Sequence, residues 1–443
     1  MSMTKRSLGL ILVIVIVMIG CAPNANAHVA LSFPPARKYD LDFMDTFRTE
    51  KPCGMAKGDI KTTIEAGKPL KITWHLGYPH KGGFKIQLLG PDEKLIQDLT
   101  PSGLYAGEDR PTTQEYQIQV DEGVQCQGCS IRLERQALEW GANYRFQSCA
   151  DVDIVSPANY KLDCSGHGQA SGSSCTCDKT YFGERCQYKN DCEDDSDCND
   201  RGDCIDIKGT TLPRKQCFCQ FGFFGHTCER KSTFDDNANF TQKPDLYTVV
   251  PGRGVDFYYR MIDDGEFEGV IAGKSTTHYV AVGWRGTYVD QTCRSFPDDA
   301  LTPVDRGFHP MDCTDMVIGT AIGDRSRIGD YYTRDRSTPR LDNFYGGEES
   351  LSGALGWEVD GRTYIMFRKP VKAIDDADHD FLGTLSFIWA HGQENAEFYT
   401  ADELKYHGGN RGHMEIEVSS GTSITISVSS TVMCLLSVYV LSM

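Results

Sequence analysis

Phe84-Lys-Ile-Gln-Leu-Leu89, preceded by Lys71-Ile-Thr-Trp74 and followed by Tyr116-Gln-Ile-Gln-Val120, sets the reading of the first third of the chain. Apolar and polar residues alternate with a period of two over strand-length runs. Gly and Pro break the runs, and none sustains a helical period. The pattern predicts an antiparallel β-sandwich from His28 to about Ile154. Further on, His278-Tyr-Val-Ala-Val-Gly283-Trp284 and Thr363-Tyr-Ile-Met-Phe367 repeat the signature, and a second strand-rich domain is expected from about Leu246 to Val418.

At 443 residues the chain exceeds what one hydrophobic core organises, so several domains are expected. Leu8 to Ile19 is an apolar run behind Lys5 and Arg6, and Ala25-Asn26-Ala27 has the small-x-small form of a signal peptidase site. Cleavage there exposes His28. Ile19-Gly20-Cys21 offers a competing lipoprotein-type site. The net charge of −17 argues against nucleic acid and against direct adhesion to acidic lipid, since both want basic patches.

The 18 cysteines are expected to be mostly oxidised in a secreted chain. Cys21 leaves with the signal, and Cys434 sits in an apolar tail. Cys53, Cys126, Cys129 and Cys149 fall in the first domain, with their pairing left open. Ten more crowd between Cys164 and Cys228, and Cys293 and Cys313 lie in the last domain. Each ectodomain group is even, which favours bonds closed within domains. Asn239-Phe240-Thr241 is a glycosylation sequon in a polar linker. After Val418, a small-residue stretch, a polar spacer and the short apolar run Val432 to Met443 lack the length and the trailing basic residues of a spanning helix. They read as a glycolipid (GPI) anchor signal, with a plain C-terminal strand or tail as the alternative.

From Cys164 to Cys228 the spacing resembles EGF-like modules. Cys192, Cys198, Cys204, Cys217, Cys219 and Cys228 follow the C-x5-C-x5-C-x12-C-x-C-x8-C form. The resemblance implies bonds from Cys192 to Cys204, Cys198 to Cys217 and Cys219 to Cys228. The preceding unit, with Cys164, Cys175, Cys177 and Cys186, lacks the first and third positions of that form. These pair with each other, so Cys164 with Cys175 and Cys177 with Cys186 still satisfy every thiol. Such modules act as small disulfide-held spacers.

An N-terminal histidine offers copper(II) an amine and an imidazole together, and one further imidazole completes a T-shaped set of nitrogen ligands. With 11 His among 443 residues, a histidine at a cleavage site is no trivial coincidence. His28-Val-Ala-Leu-Ser-Phe-Pro34-Pro35-Ala36-Arg37, Pro79-His80-Lys81-Gly82-Gly83-Phe84, Cys126-Gln-Gly-Cys129, Trp140 and Phe146-Gln-Ser-Cys149-Ala150-Asp151 resemble lytic polysaccharide monooxygenases of the chitin-binding type. The resemblance implies that His28 and His80 hold copper, with His75 as rival to His80, and that Phe146 fills the axial side. It further implies oxidative scission of a polysaccharide such as chitin or cellulose.

In the last domain, His278-Tyr-Val-Ala-Val-Gly283-Trp284, Met311-Asp-Cys-Thr-Asp315-Met-Val-Ile-Gly319, Phe387-Ile-Trp-Ala-His391-Gly392, Tyr406-His407 and Arg411-Gly412 resemble DOMON domains of the cytochrome kind. That likeness implies a b-type haem between Met311 and His391, with Met316 as the competing thioether. A Met/His pair suits electron transfer. A bond between Cys293 and Cys313 would brace the loop that carries Met311.

The expected architecture is therefore all-β and multidomain. It comprises a signal peptide (1–27), an immunoglobulin- or fibronectin-like β-sandwich of copper monooxygenase type (28–155), a truncated EGF-like module (156–190), a complete one (191–229), a second β-sandwich of DOMON type (230–418) and an anchor signal or tail (419–443). The expected function is copper-dependent polysaccharide oxidation at the cell surface, with electrons entering from an external donor through the haem domain. No flavin or nicotinamide fingerprint is present to supply them. The alternatives are a non-catalytic copper-binding or redox surface protein, and a haem-free carbohydrate-binding adhesive protein.

Overall fold

The computed structural model describes residues 28–37, 49, 51–58, 61–78, 80–101, 104–110, 112–207, 213–234, 240, 246–262, 265–274, 279–294, 308–392, 407 and 409–419. The side chains of His28, Tyr78 and Gln291 lie outside that description. So do the signal segment, Cys21, the Asn239 sequon, His278, Tyr406 and the C-terminal tail with Cys434.

The N-terminal region forms the expected sandwich. β1 (His28–Phe33), β3 (Pro69–Tyr78) and β6 (Glu115–Gln119) make a three-stranded sheet. β2 (Thr62–Glu65), β8 (Arg145–Val155), β7 (Cys126–Gln136), β4 (Phe84–Leu89) and β5 (Leu95–Asp98) make the facing one in that order. Trp74, Ile72, Leu31, Phe84, Ile86, Ile131, Leu133 and Phe146 meet between the sheets. β8 departs from the alternation, because seven successive residues from Phe146 to Val152 are buried. The segment before β2 covers its outer face. Cys53 bonds to Cys149, Gly58 N–H donates to Asp151, and Gln147 reaches Thr49. Under that cover the Arg37 guanidinium is buried, donating to Asp151, Ser130, Glu93 and the Met55 carbonyl. A charge so placed is tolerable only because these acceptors surround it.

The middle of the chain is held by disulfides rather than by a core, as small modules require. Its strands are two-stranded ribbons: β9 (Gly168–Ser171) with β10 (Ser174–Cys177), and β11 (Tyr181–Phe182) with β12 (Tyr188–Lys189). The second module contributes β13 (Gly202–Asp206), β14 (Lys215–Gln220), β15 (Phe223–Phe224) and β16 (Arg230–Lys231). Cys164–Cys175, Cys177–Cys186, Cys192–Cys204, Cys198–Cys217 and Cys219–Cys228 are bonded. In the outer domains Cys126 bonds to Cys129, and Cys293 to Cys313. Eight disulfides among the described residues place folding in an oxidising, extracytoplasmic compartment.

The second sandwich has a five-stranded sheet of β17 (Thr248–Val250), β18 (Val255–Met261), β19 (Glu266–Lys274), β25 (Arg362–Pro370) and β24 (Gly353–Val359). The facing sheet runs β22 (Arg325–Thr333), β21 (Thr314–Ile322), β20 (Val280–Gly286), β26 (Gly383–His391) and β27 (Arg411–Val418), with β23 (Arg340–Leu341) beside β22. Trp284, Phe257, Phe267, Phe367, Phe381 and Phe387 fill the space between.

The second EGF-like module, expected to act as a spacer, instead joins the second sandwich. β14 pairs with β22 through Cys219 opposite Ser326, so β13 and β14 extend the large sheet to eight strands. Phe224 enters its core, and Arg327 pairs with Asp191 at 2.8 Å. β23 covers this edge of β22 only at Tyr331 and Tyr332, and the start of the strand is left to offer hydrogen bonds to any strand that can reach it.

Candidate metal centre

β1 runs antiparallel to β3 with His28 opposite Tyr78, two residues before His80. The backbone thus brings β1 beside the segment that carries the second candidate ligand. His80 is fully buried. Its ring lies parallel to Phe146, 5.7 Å between centroids and 12° between planes, and edge-on to Trp140 at 4.9 Å. Glu139 faces its Nδ1 at 2.5 Å. An ionised carboxylate only accepts, so the ring nitrogen donates and Nε2 keeps the lone pair a metal would use.

Partial burial would raise the Glu139 carboxyl, but the hydrogen bond from His80 and the backbone N–H groups outweigh it and hold the carboxyl below its ordinary value. Arg135, also buried, donates to the backbone oxygens of His80, at 2.7 Å, and of Gly82. Burial lowers its guanidinium to about 10, against the attraction of Glu139, so the cation persists at neutral pH and clamps the loop. The donor set suits copper: an imidazole oriented by a carboxylate, beside the start of the strand whose free amine would complete the chelate.

His75 sits on β3 opposite Ala30, on the strand face opposite to Trp74, and is buried. Glu139 and Arg135 were not singled out from sequence. Glu139 adjoins Trp140, which was, but its partner lies 59 residues away.

In the second sandwich the structure does not bring Met311 and His391 together. His391 is opposite Val280, which faces the interior. Its ring is so close to Gly254, in the turn before β18 of the other sheet, that a Cβ there would stand 2.8 Å from Nε2. Its Nδ1 lies 2.7 Å from the Gly392 carbonyl, to which it donates. Met311 packs instead on the outer face with Ala281, Met316, Ile318 and Ile388. The competing Met316 shares that outer face, where a Cβ at Gly283 would meet its Cγ. As placed, neither thioether faces His391, so the pair does not fit a haem held between them.

The two sandwiches touch at the metal candidate's back. Met55 packs against the cluster of Cys313, Tyr332, Tyr345 and Ala377, and the Arg336 guanidinium lies 5.9 Å from the centre of the Trp140 ring.

Residues 306–392 match the DOMON domain family. No curated protein matches the chain. Among solved structures, the chain is similar to the cytochrome b domain of pyranose dehydrogenase from Coprinopsis cinerea, at 15% identity over 36% of this chain and 75% of that one, with a TM-score of 0.25. It is similar too to an AA10 lytic polysaccharide monooxygenase from Streptomyces lividans, at 13% identity over 28% of this chain and 99% of that one, with a TM-score of 0.21.

Proposed function

We propose that this is an extracellular, copper-dependent oxidase of a chitin- or cellulose-like polysaccharide, with the metal held by the amine and ring of His28 and by the ring of His80. The observation that carries the reading is the Glu139–His80 pair, packed between Phe146 and Trp140 and set beside the start of β1. When bound, copper supplies one-electron redox chemistry with oxygen or peroxide, directed at a glycosidic C–H bond.

The chain's own residues do the rest. Glu139 fixes the Nδ1 proton and so the tautomer of His80. Arg135 pins the backbone of residues 80–82, and Phe146 excludes water from one face of the ring. Electrons come from an external donor. No step is routed through a haem, because Met311 and His391 do not face one another. Anchoring by a C-terminal glycolipid belongs to the same proposal, and release of the protein from cells by phospholipase C tests it.

The decisive experiment is mass spectrometry and metal analysis of secreted full-length protein, followed by incubation with chitin and cellulose plus ascorbate. A His28 N-terminus, one copper per chain and oxidised oligosaccharides support the proposal. A different first residue removes the chelate and the proposal with it. The complete burial of His80 favours one second reading, a copper-binding redox protein at the cell surface that does not cut polymers. Stoichiometric copper without oxidised products selects it.

A further inference from the structure

A cavity of about 170 Å³ lies between the second EGF-like module and the large sheet of the second sandwich. It is independent of the copper reading. Phe218 of β14 forms one wall; Thr320, Arg327 and Tyr331 of β21 and β22 form another, and Arg340 and Phe344 close it. An apolar cavity of roughly 150 Å³ accommodates one benzene ring. The space therefore suits one six-membered ring, and three aromatic side chains offer it flat apolar surface.

The charge of the lining is opposite to that of the chain. Two arginines face the cavity and no Asp or Glu does, in a protein with 62 acidic against 45 basic residues. Two polar groups there also lack partners among the described residues. Thr320 is 7% exposed, and its Oγ1 has no hydrogen bond. Arg327 spends Nη2 on Asp191, while its buried Nη1 finds no acceptor. Thr320 and Arg327 are direct cross-strand partners, so both unmet groups converge on one place. Buried donors are rarely left so, and an acceptor-rich ligand would satisfy both.

We infer that this cleft binds a six-membered ring carrying a carboxylate, its ring against Phe218, Tyr331 and Phe344 and its carboxylate on Arg327 and Arg340. A hexuronic acid and an aryl carboxylate share that chemistry, and D-glucuronate and benzoate distinguish them. Full-length secreted protein is titrated calorimetrically with these two probes and with the neutral partners D-glucose and benzyl alcohol.

At least one carboxylate binds about tenfold or more tightly than its neutral partner, as a charge-assisted contact requires. Glucuronate alone identifies a sugar acid, benzoate alone an aryl acid, and binding of both supports the shared chemistry. Arg327→Gln, Arg340→Gln and Thr320→Val each weaken the effect. Arg327 also helps seat the EGF-like module, so Arg340→Gln and Thr320→Val keep the test valid if the first variant fails to fold. Neutral probes binding as tightly, no binding at all, or carboxylate binding untouched by Arg340→Gln and Thr320→Val would overturn the inference.

Discussion

Glu139 gives the metal candidate its sharpest residue-level test. A ligand histidine depends on the partner of its other nitrogen for tautomer and basicity, and losing that partner costs about 10–100-fold in metal affinity. Glu139→Gln is expected to weaken copper by that factor, measured by competition with a chelator, while leaving the fold intact. His80→Ala should abolish stoichiometric binding. If Glu139→Gln binds copper as tightly as the parent, the carboxylate does not orient a ligand. Phe146, fully buried against His80, serves core and site together. Phe146→Ala should therefore cost about 3–5 kcal/mol of stability in a denaturant titration, besides any effect on the metal. His80 and Phe146 could be found from local motifs. Glu139 could not, because its role is fixed by a tertiary approach across 59 residues that no local pattern encodes.

At the scale of elements, alternation marks strands in both sandwiches but does not tell what each of them buries. β25 was legible from Thr363-Tyr-Ile-Met-Phe367, yet a lysine one residue before its end would be read as a solvent-facing charge. Lys369 is instead buried, its Nζ 2.7 Å from Asp315, 2.5 Å from Asp330 and 2.8 Å from Asp378. Lys369→Met would leave those carboxylates without their cation, and a loss of about 3–5 kcal/mol is expected, read as lowered stability or failed secretion.

Asp342 stands beside this group, buried, with neither oxygen hydrogen-bonded among the described residues. Burial first, and then the charge of Asp330, push its carboxyl up to about 10. The folded protein keeps a proton there that the unfolded chain releases near its ordinary value of 3.8. The contribution is thus complete below about pH 4 and is lost progressively as pH rises toward 10. Asp342→Asn should raise the melting temperature at pH 7 to 9 and flatten its decline with pH, by about 2–4 °C for each kcal/mol recovered. A variant less stable than the parent at pH 9 would contradict this account.

For the whole molecule, the division into two sandwiches with a disulfide-rich middle was legible because cysteine spacing and strand periodicity are local. The docking was not, since it depends on an edge strand and on a few side chains that meet only after folding. β14 against β22 ties the second EGF-like module rigidly to the second sandwich. Among the described residues the first sandwich meets it through Met55 in the Tyr332–Tyr345 cluster and through Arg336 over Trp140, itself in contact with His80. Full burial of a Met side chain contributes about 1.5–3 kcal/mol, so the partly buried Met55 contributes less, and a cation over an indole about 0.5–2 kcal/mol. A docking equilibrium carried by these two contacts is strong enough to close the molecule yet weak enough to open. Arg336 of the second sandwich stands over Trp140, which packs on His80, so docking is expected to restrict the approach to His80. The double variant Met55→Ser, Arg336→Ala is therefore expected to increase the radius of gyration in solution scattering. It should also quicken removal of copper by a chelator about tenfold or more, the factor that each 1.4 kcal/mol lost from docking commands. If the radius and the chelation rate both match the parent, the sandwiches are not held together at this surface, and access to the metal is not governed by their separation.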